Sequence, residues 1–396
     1  MVFSGFSKPP VILQLVPALN SGGVERGVFE TASAIINAGG KALIASSGGK
    51  WAREIERIGG VHITLPLHHK SPGSILMNAK AITKIIQEHQ VDIIHPRSRA
   101  PAWSVKLALK KLKKQGHTSC HWVSSWHGTH GSKGSLKRWY NKVMAGGEKV
   151  IAISRFIENH IQEIYKADPA KIRIVPRGVD LNIFNPDKVH RDRVVKLAQE
   201  WHVPDGKPVI MLPGRFSRWK GHKILLQALA KLGDQEFYCL FVGAEENRAV
   251  YQEELKRVIQ NLGLLGRVRI VAMCRDMPAA YMLADVVVSP ATKAEAFGRI
   301  AVEAQAMGRP VVASDLGGSR ETILPGKTGW LVAPKDAEAL ANTLREVLHL
   351  SADQRHALAA AARKHMEQNF SIDTMTAGEL AVYEEVLQGA KLASAA

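Results

Sequence analysis

Short apolar segments rich in β-branched residues alternate along the chain with amphipathic segments of helical period. The apolar segments predict strands at 11–16, 41–45, 61–65, 91–94, 121–125, 149–153 and 172–175, and again at 208–212, 237–242, 268–272, 286–289 and 310–313. Helical patterns lie between them, as at 23–38, 75–89, 222–232, 249–262 and 298–307. Strand–helix alternation is typical of a parallel sheet with helices on both faces, and it occurs twice. The pattern therefore predicts an α/β protein with two doubly wound, Rossmann-like sheets.

Breaker residues place the division between the two halves. Pro186 and Pro204-Asp205-Gly206 flank a charged helical stretch, so the boundary is expected within 186–207. We predict an N-terminal domain over 1–190 and a C-terminal domain over 191–375. A last helix over 376–396 is expected to cross back to the first domain. Because ligands bind outside the carboxyl ends of parallel strands, the active site is expected in the cleft where the two sheets face each other.

Composition narrows the class of protein. The 396 residues contain 46% hydrophobic positions, enough for two cores. The three cysteines are far apart and match no zinc or disulfide spacing, so a reducing compartment is expected. The run at 11–16 is strand-sized rather than a signal peptide, and no segment reaches the roughly 18 apolar residues of a membrane span. A cytoplasmic protein, soluble or peripheral on the inner membrane, is the expectation.

The formal charge of +17 is concentrated in one half of the chain. Residues 1–190 hold 27 Lys and Arg against 12 Asp and Glu, whereas residues 191–396 hold 26 against 24. Such a one-sided positive field favours binding to an anionic partner. The alternative interpretation is a basic surface that is merely solvated. The stretch 103–114 places lysines on one helical face and apolar residues on another, and a second basic-aromatic stretch covers 133–142. Both are typical of helices that dock on anionic lipid, although 103–114 also fits a helix packed on its own sheet.

Three segments that follow predicted strands carry the candidate chemistry. Gly22 and Gly23 open the first helix, where backbone can approach a ligand, but they do not form a dinucleotide fingerprint. Arg215 and Lys220 lie on the loop after the first strand of the second half, and this pair of cations suits a diphosphate. The alternative interpretations are an ordinary turn and a solvated basic loop.

The third segment, 295–303, gives the strongest signal. Glu295 precedes a helix that Gly298 opens, so the first N–H groups of this helix are available to a phosphate. Glu303 lies on the same helix, and two carboxylates at this spacing can hold sugar and ribose hydroxyls of one ligand. Two surface glutamates are the alternative.

The chain resembles the retaining GT-B glycosyltransferases of family 4, also called group 1. The resemblance is carried by Arg215 and Lys220 followed by the pair Glu295 and Glu303. Within that family the chain is similar to bacterial lipopolysaccharide core and polysaccharide transferases. Further matching pieces are Gly22-Gly23, Ser125–Gly128, Ile153-Ser154, Val175–Asp180 and Gly308–Ser314, so the resemblance runs from about residue 11 to 335. Ala296 stands where the family often has Pro, and Arg177 stands where it often has Asn. The cation of Arg177 makes the acceptor less well defined than the donor.

The resemblance implies that the N-terminal domain over 1–190 is acceptor-binding and that the C-terminal domain over 191–375 is nucleotide-sugar-binding. It also implies roles for the matched positions. The implied catalytic residues are His127, Glu295, Arg215 and Lys220. The implied donor-binding residues are Gly22, Gly23, Arg215, Lys220, Cys274, Arg275, Glu295, Ala296, Phe297, Gly298, Arg299, Ile300 and Glu303. Arg177, Arg97 and Arg99 are candidates for binding the acceptor.

The implied reaction moves a sugar from a nucleotide-sugar to an acceptor hydroxyl by same-face attack, with retention. Arg215, Lys220 and the helix at Gly298 would stabilise the leaving diphosphate, and because the sequence has no Asp-x-Asp triplet, neither a metal nor another cofactor is expected. The expected partners are the donor and an anionic lipid-linked or saccharide acceptor. A sugar-nucleotide epimerase of the same fold and a basic nucleic-acid-binding protein are the alternatives, and no nucleic-acid motif supports the second.

Overall fold

The structure is a computed structural model, and it describes residues 3, 6, 8–20, 22–131, 134–243, 249–271 and 273–395. Side chains at 249 and 391–395 are outside this description. The chain forms two compact units. Unit 1 comprises Met1–Arg177 and Ile372–Ala396, and unit 2 comprises Gly178–Ser371.

Unit 1 is built on a seven-stranded parallel sheet with the order β3-β2-β1-β4-β5-β6-β7. Its strands are β1 (Val11–Leu15), β2 (Lys41–Ser46), β3 (Val61–Thr64), β4 (Ile93–Pro96), β5 (His121–Trp126), β6 (Lys149–Ala152) and β7 (Ile172–Ile174). Its helices are α1 (Gly23–Asn37), α2 (Lys50–Arg57), α3 (Pro72–His89), α4 (Arg99–Lys114), α5 (Ser135–Lys142), α6 (Arg155–Tyr165) and, from the end of the chain, α15 (Ile372–Ala395), with 3-10 turns at Val143–Ala145 and Pro169–Lys171.

Unit 2 carries a six-stranded parallel sheet with the order β10-β9-β8-β11-β12-β13. Its strands are β8 (Val209–Pro213), β9 (Tyr238–Val242), β10 (Val268–Val271), β11 (Val286–Ser289), β12 (Val311–Ser314) and β13 (Trp330–Val332). Its helices are α7 (Arg191–Glu200), α8 (His222–Ala230), α9 (Ala249–Asn261), α10 (Met277–Leu283), α11 (Arg299–Ala306), α12 (Ser319–Thr322), α13 (Ala337–Leu348) and α14 (Ala352–Asn369), with 3-10 turns at Pro186–Lys188 and Arg218–Lys220.

The predicted α/β class with two Rossmann-like parallel sheets is confirmed. The central strands are buried on both faces, which explains why their sequences are predominantly apolar runs, interrupted in β1 only by Gln14, rather than alternating patterns. In each sheet the strand order reverses at one place, between β1 and β4 in unit 1 and between β8 and β11 in unit 2. At such a switch point the two neighbouring loops diverge and leave a crevice for a ligand.

The units divide at other positions than 190 and 375. The segment after Arg177 belongs to unit 2, because Val179 pairs with Ser371 and the ring of Phe184 packs 6.0 Å from that of Tyr281. Helix α15 belongs to unit 1, because Tyr383 and other apolar side chains of this helix are part of the unit 1 core.

Strand β13 is absent from the predicted set. It has only three residues, and two of them, Trp330 and Leu331, are only partly buried, so its pattern is too short to stand out. No helix within the described part of the chain has the length and apolar character needed to cross a bilayer.

Candidate active site

Two loops meet at the switch point of unit 2. The first, Gly214–Gly221, follows β8, and the second, Pro290–Gly298, follows β11. The main-chain N–H of Thr292 donates to the carbonyl of Trp219 over 2.8 Å, which joins the loops directly. Gly221 has a φ of 81°, and a Cβ there would overlap the carbonyl of Pro290. A glycine is therefore required where the loops touch.

An ion pair spans the two loops. Lys220 Nζ lies 2.7 Å from Glu295 Oε1, and each side chain is only 11% exposed. The ammonium also lies 4.7 Å from the ring centroid of Trp219, within range of a cation–π contact. These two residues are 75 positions apart in sequence, and the fold brings them into contact at the carboxyl edge of the sheet.

Arg215 occupies the start of the first loop. Its side chain is exposed, so the guanidinium is accessible to an anion. The preceding Gly214 has a φ of 139°, and a Cβ there would lie 3.4 Å from the Cδ1 of Ile300. The loop that carries Arg215 is thus packed close to the first turn of α11, the helix that Gly298 opens.

Gly298 adopts the left-handed conformation, with a φ of 87°, as the N-cap of α11. Because glycine has no side chain, this residue offers no cap to the first N–H groups of the helix, which remain suited to an anion. Ala296 and Phe297 form the approach to the helix, and Phe297 is buried. The N–H of Gly318 donates to the carbonyl of Glu295 over 2.9 Å, so a neighbouring turn holds this approach in place.

Glu303 lies one turn into α11 and is buried. Its Oε1 accepts from Arg299 Nε at 2.7 Å and its Oε2 accepts from the hydroxyl of Tyr281 at 2.9 Å. Burial, followed by the charge of Glu303, raises the pKa of Tyr281, so this tyrosine remains a donor. Tyr281 is absent from the predicted site, because nothing in its local sequence indicates contact with α11.

Cys274 and Arg275 follow β10, the edge strand two positions from β8. They border a cavity of about 640 Å³ whose wall also includes Arg193, Trp201 and Arg269. Burial is the main cause that raises the pKa of the Cys274 thiol, whereas Arg275 is exposed. Strand β10 lies two strand spacings, or about 10 Å, from β8. The loops after these two strands could therefore contact opposite ends of one nucleotide.

In unit 1, His127 follows β5. Within the described residues neither of its ring nitrogens has a hydrogen-bond partner, and both are buried. Burial first, then the charges of Arg177 and Arg97, lower its pKa well below 6.5, so the imidazole is neutral at pH 7. Such a ring can accept or donate one hydrogen bond without carrying charge.

Gly22 and Gly23 open α1 as predicted, with Gly22 exposed. Arg177 lies against the same helix: a Cβ at Gly27 would overlap its guanidinium. These three candidates therefore belong to one neighbourhood of unit 1, around the start of α1. Arg99, at the start of α4, donates to Asn141 Oδ1 over 3.0 Å and is half-buried.

The structure corrects the position of Arg97. Its side chain is 0% exposed and donates to Gln14 Oε1, Thr31 Oγ1 and both carboxylate oxygens of Glu379. All of these partners lie inside unit 1, and Glu379 comes from α15. Arg97 therefore fastens the C-terminal helix to the sheet and is not available to bind an acceptor.

No group of three or more His, Cys, Asp or Glu side chains suited to hold a metal occurs among the residues that the structure describes.

Comparison with known proteins defines the class to which this geometry belongs. Residues 21–183 match the model of Glycosyltransferase Family 4, and residues 196–365 match that of Glycosyl transferases group 1. A glycosyltransferase of known structure from Rickettsia africae is 38% identical, with a TM-score of 0.87, over 96% of this chain and 99% of that one. The chain belongs to this family of GT-B glycosyltransferases, as its sequence predicts.

Two further proteins are similar to this chain. A D-inositol 3-phosphate glycosyltransferase of Xylanimonas cellulosilytica is 33% identical over 62% of this chain, a match that spans only 58% of that relative. The Anabaena protein HepE, solved in complex with UDP and glucose, is 24% identical with a TM-score of 0.76 over 92% of this chain and 96% of its own. The second likeness concerns the fold alone.

Proposed function

We propose that this glycosyltransferase moves a hexose from a nucleotide-sugar to an acceptor hydroxyl with retention and without a metal ion. The observation that carries the proposal is the Lys220–Glu295 ion pair at the switch point of unit 2, beside the N-terminus of α11. A cation, a carboxylate and a helix N-terminus in one place match the diphosphate and the sugar of such a donor.

The leaving diphosphate would be held by three groups. One N–H of the Lys220 ammonium is used on Glu295, which leaves two for phosphate oxygens. The exposed guanidinium of Arg215 can add a bidentate contact, and the N-terminus of α11 adds a positive dipole end. These charges stabilise the negative charge that develops on the leaving group, which is the main requirement of the reaction.

The two carboxylates would hold the hydroxyls of the donor. Glu295 Oε1 pairs with Lys220, so Glu295 Oε2 is the oxygen we assign to the sugar hydroxyls. Glu303 accepts from Arg299 and from Tyr281, and a carboxylate has further lone pairs with which to accept from ribose hydroxyls. The cavity beside Cys274 and Arg275 is our proposed place for the base.

For the transfer itself we propose attack from the face that the diphosphate leaves, with a phosphate oxygen taking the proton of the acceptor. We assign His127 a hydrogen bond to the reacting sugar, because its neutral ring has two unpartnered nitrogens. The acceptor we propose is a lipid-linked or lipopolysaccharide-type saccharide at the cytoplasmic face of the membrane. The concentration of positive charge in residues 1–190 supports this choice.

A panel of UDP-, GDP- and ADP-sugars tests the donor site by thermal shift, because a ligand of the folded state raises its melting temperature. We expect one nucleotide series to stabilise the wild type and Lys223→Met, but not Lys220→Met. Lys223 is the matched control, since it also pairs with a glutamate, Glu254, on unit 2. Equal stabilisation of all three proteins, or of none, contradicts the proposed site.

Retention and metal independence have their own readouts. Once the donor is known, the anomeric configuration of the product, measured by NMR, must equal that of the donor. Turnover should be unchanged by EDTA. An inverted product, or an activity lost in EDTA and restored by magnesium or manganese, overturns these parts of the proposal.

A further inference from the structure

A long stretch of unit 1 contains no acidic residue. From Ile93 to Gly147 the sequence has eleven Lys and Arg and no Asp or Glu. The stretch covers α4 and α5, and the preceding α3 has acid only at Glu88, near its end. The exposed positive charges of these helices therefore have few local counter-charges.

The apolar face of α4 is not the surface that meets a partner. Val105, Ala108 and Leu112 are all buried, so this face packs inside unit 1 as an ordinary surface helix does. The lysines of the same helix, among them Lys106 and Lys110, remain exposed.

Exposed apolar side chains come instead from the neighbouring helices. Leu136 and Trp139 of α5 are 76% and 60% exposed, and Leu76 and Met77 of α3 are 53% and 61% exposed. Large apolar groups at such exposure are costly to keep in water unless something covers them.

Helix α4 contacts both of the helices that carry these groups. The Trp139 ring lies 4.6 Å from that of Trp103 on α4, and Lys106 lies 5.0 Å from the Trp103 ring. On the other side, the hydroxyl of Ser104 donates to the carbonyl of Ile75, the residue before Leu76 and Met77. Helices α3, α4 and α5 all follow the carboxyl ends of strands, the edge at which ligands of such sheets bind.

We propose that this basic-apolar face is the surface by which the enzyme sits on an anionic lipid bilayer. The face consists of Leu76, Met77, Leu136 and Trp139 with Lys106, Lys110, Lys137, Arg138 and Lys142. Its charge is complementary to anionic headgroups, while leucine, methionine and tryptophan side chains enter the boundary between headgroups and acyl chains. The inference rests on the proposed function, for which it supplies the manner in which a lipid-linked acceptor is presented to the carboxyl edge of unit 1.

Co-sedimentation with vesicles tests the face. We use phosphatidylcholine vesicles with and without about one third phosphatidylglycerol, at low and at high salt. The wild type is expected to bind only the anionic vesicles, and salt should weaken this binding. Lys106, Lys110, Lys137 and Lys142 are then all replaced by Gln. Because each removed charge weakens binding by about tenfold or less, the four together should reduce the partition coefficient on the order of a hundredfold or more.

The double variant Leu136→Ser/Trp139→Ser should also lose vesicle binding. Its control is Leu265→Ser, which removes a leucine of unit 2 that is 68% exposed and should bind vesicles like the wild type. Thermal melts with nucleotide-sugars are run on every protein, so that a misfolded variant or a failed donor site is seen separately from lost membrane binding.

Absence of wild-type binding to anionic vesicles overturns the proposal and leaves the face to a protein partner. Vesicle binding that survives in both the charge variant and the Leu136→Ser/Trp139→Ser variant overturns it as well. If vesicles bind as predicted while no nucleotide-sugar stabilises the protein, the membrane face stands and the proposed donor site fails.

Discussion

Replacing Lys220 by Met removes one member of the ion pair on which the donor site depends. At 2.7 Å and an effective dielectric constant of about 20, the Lys220–Glu295 attraction amounts to about 6 kcal/mol before desolvation. Desolvation of the two side chains offsets much of this attraction, but the variant leaves Glu295 without its counter-ion. We expect a loss of about 2–4 kcal/mol of stability and, for a unit of this size, a decrease in melting temperature of about 5–10 °C.

Activity should respond differently from stability. Lys220 stabilises charge on the leaving diphosphate, so its loss is expected to lower kcat by about 10²–10³-fold. The double variant Lys220→Met/Glu295→Gln removes both charges and should regain most of the lost melting temperature without regaining activity. The assay combines thermal melts with initial rates of donor turnover for the two single variants and the double variant.

Two results would refute this reasoning. If Lys220→Met lowers the melting temperature no more than Lys223→Met does, the pair at the switch point is not a buried electrostatic contact. If the double variant turns over donor at the wild-type rate, neither residue contributes to the transfer.

Other predictions concern the neighbours of the site. Tyr281→Phe removes one hydrogen bond from Glu303 and should raise the donor KM about tenfold with little change in kcat, as initial rates will show; an unchanged KM argues against ribose binding by Glu303. Arg97→Met leaves Glu379 buried without its partner and should cost about 3–5 kcal/mol in chemical denaturation, whereas a cost near zero excludes the fastening role. His127 stays neutral in the folded state while the unfolded chain protonates below about pH 6.5, so stability present above that pH should fall as melts are run toward pH 5, and it should fall less in His127→Gln. An equal fall in both proteins contradicts the lowered pKa of His127.

The parallel sheets could be predicted from the sequence because their central strands are predominantly apolar runs between helical patterns. Strand β13 could not, since three residues, two of them only partly buried, are too few to show a period. The predicted domain boundary at 190 was also wrong, because the true boundary after Arg177 depends on a tertiary contact. Whether residues after Arg177 join one unit or the other depends on the bridge between Val179 and Ser371, which no local pattern records.

The candidate site was predictable where its residues lie on loops that directly follow strands. Lys220 and Glu295 each follow a buried strand, and β8 and β11 are neighbours, so their contact follows from the topology. Arg97 also follows a strand, but its burial depends on Glu379, which lies 282 positions away on the last helix. Tyr281 was missed for the same reason, because only the packed structure shows that its hydroxyl reaches Glu303.

The binding of nucleoside diphosphates to Arg215→Ala, measured by isothermal titration calorimetry, tests the central claim most directly. The control is Arg257→Ala, which removes an exposed arginine of α9 on the same unit. We predict that Arg215→Ala weakens the preferred diphosphate by about tenfold to a hundredfold, as the loss of a charged hydrogen bond should, and that Arg257→Ala does not. Equal affinities for the wild type and both variants would contradict the placement of the diphosphate at the switch point of unit 2.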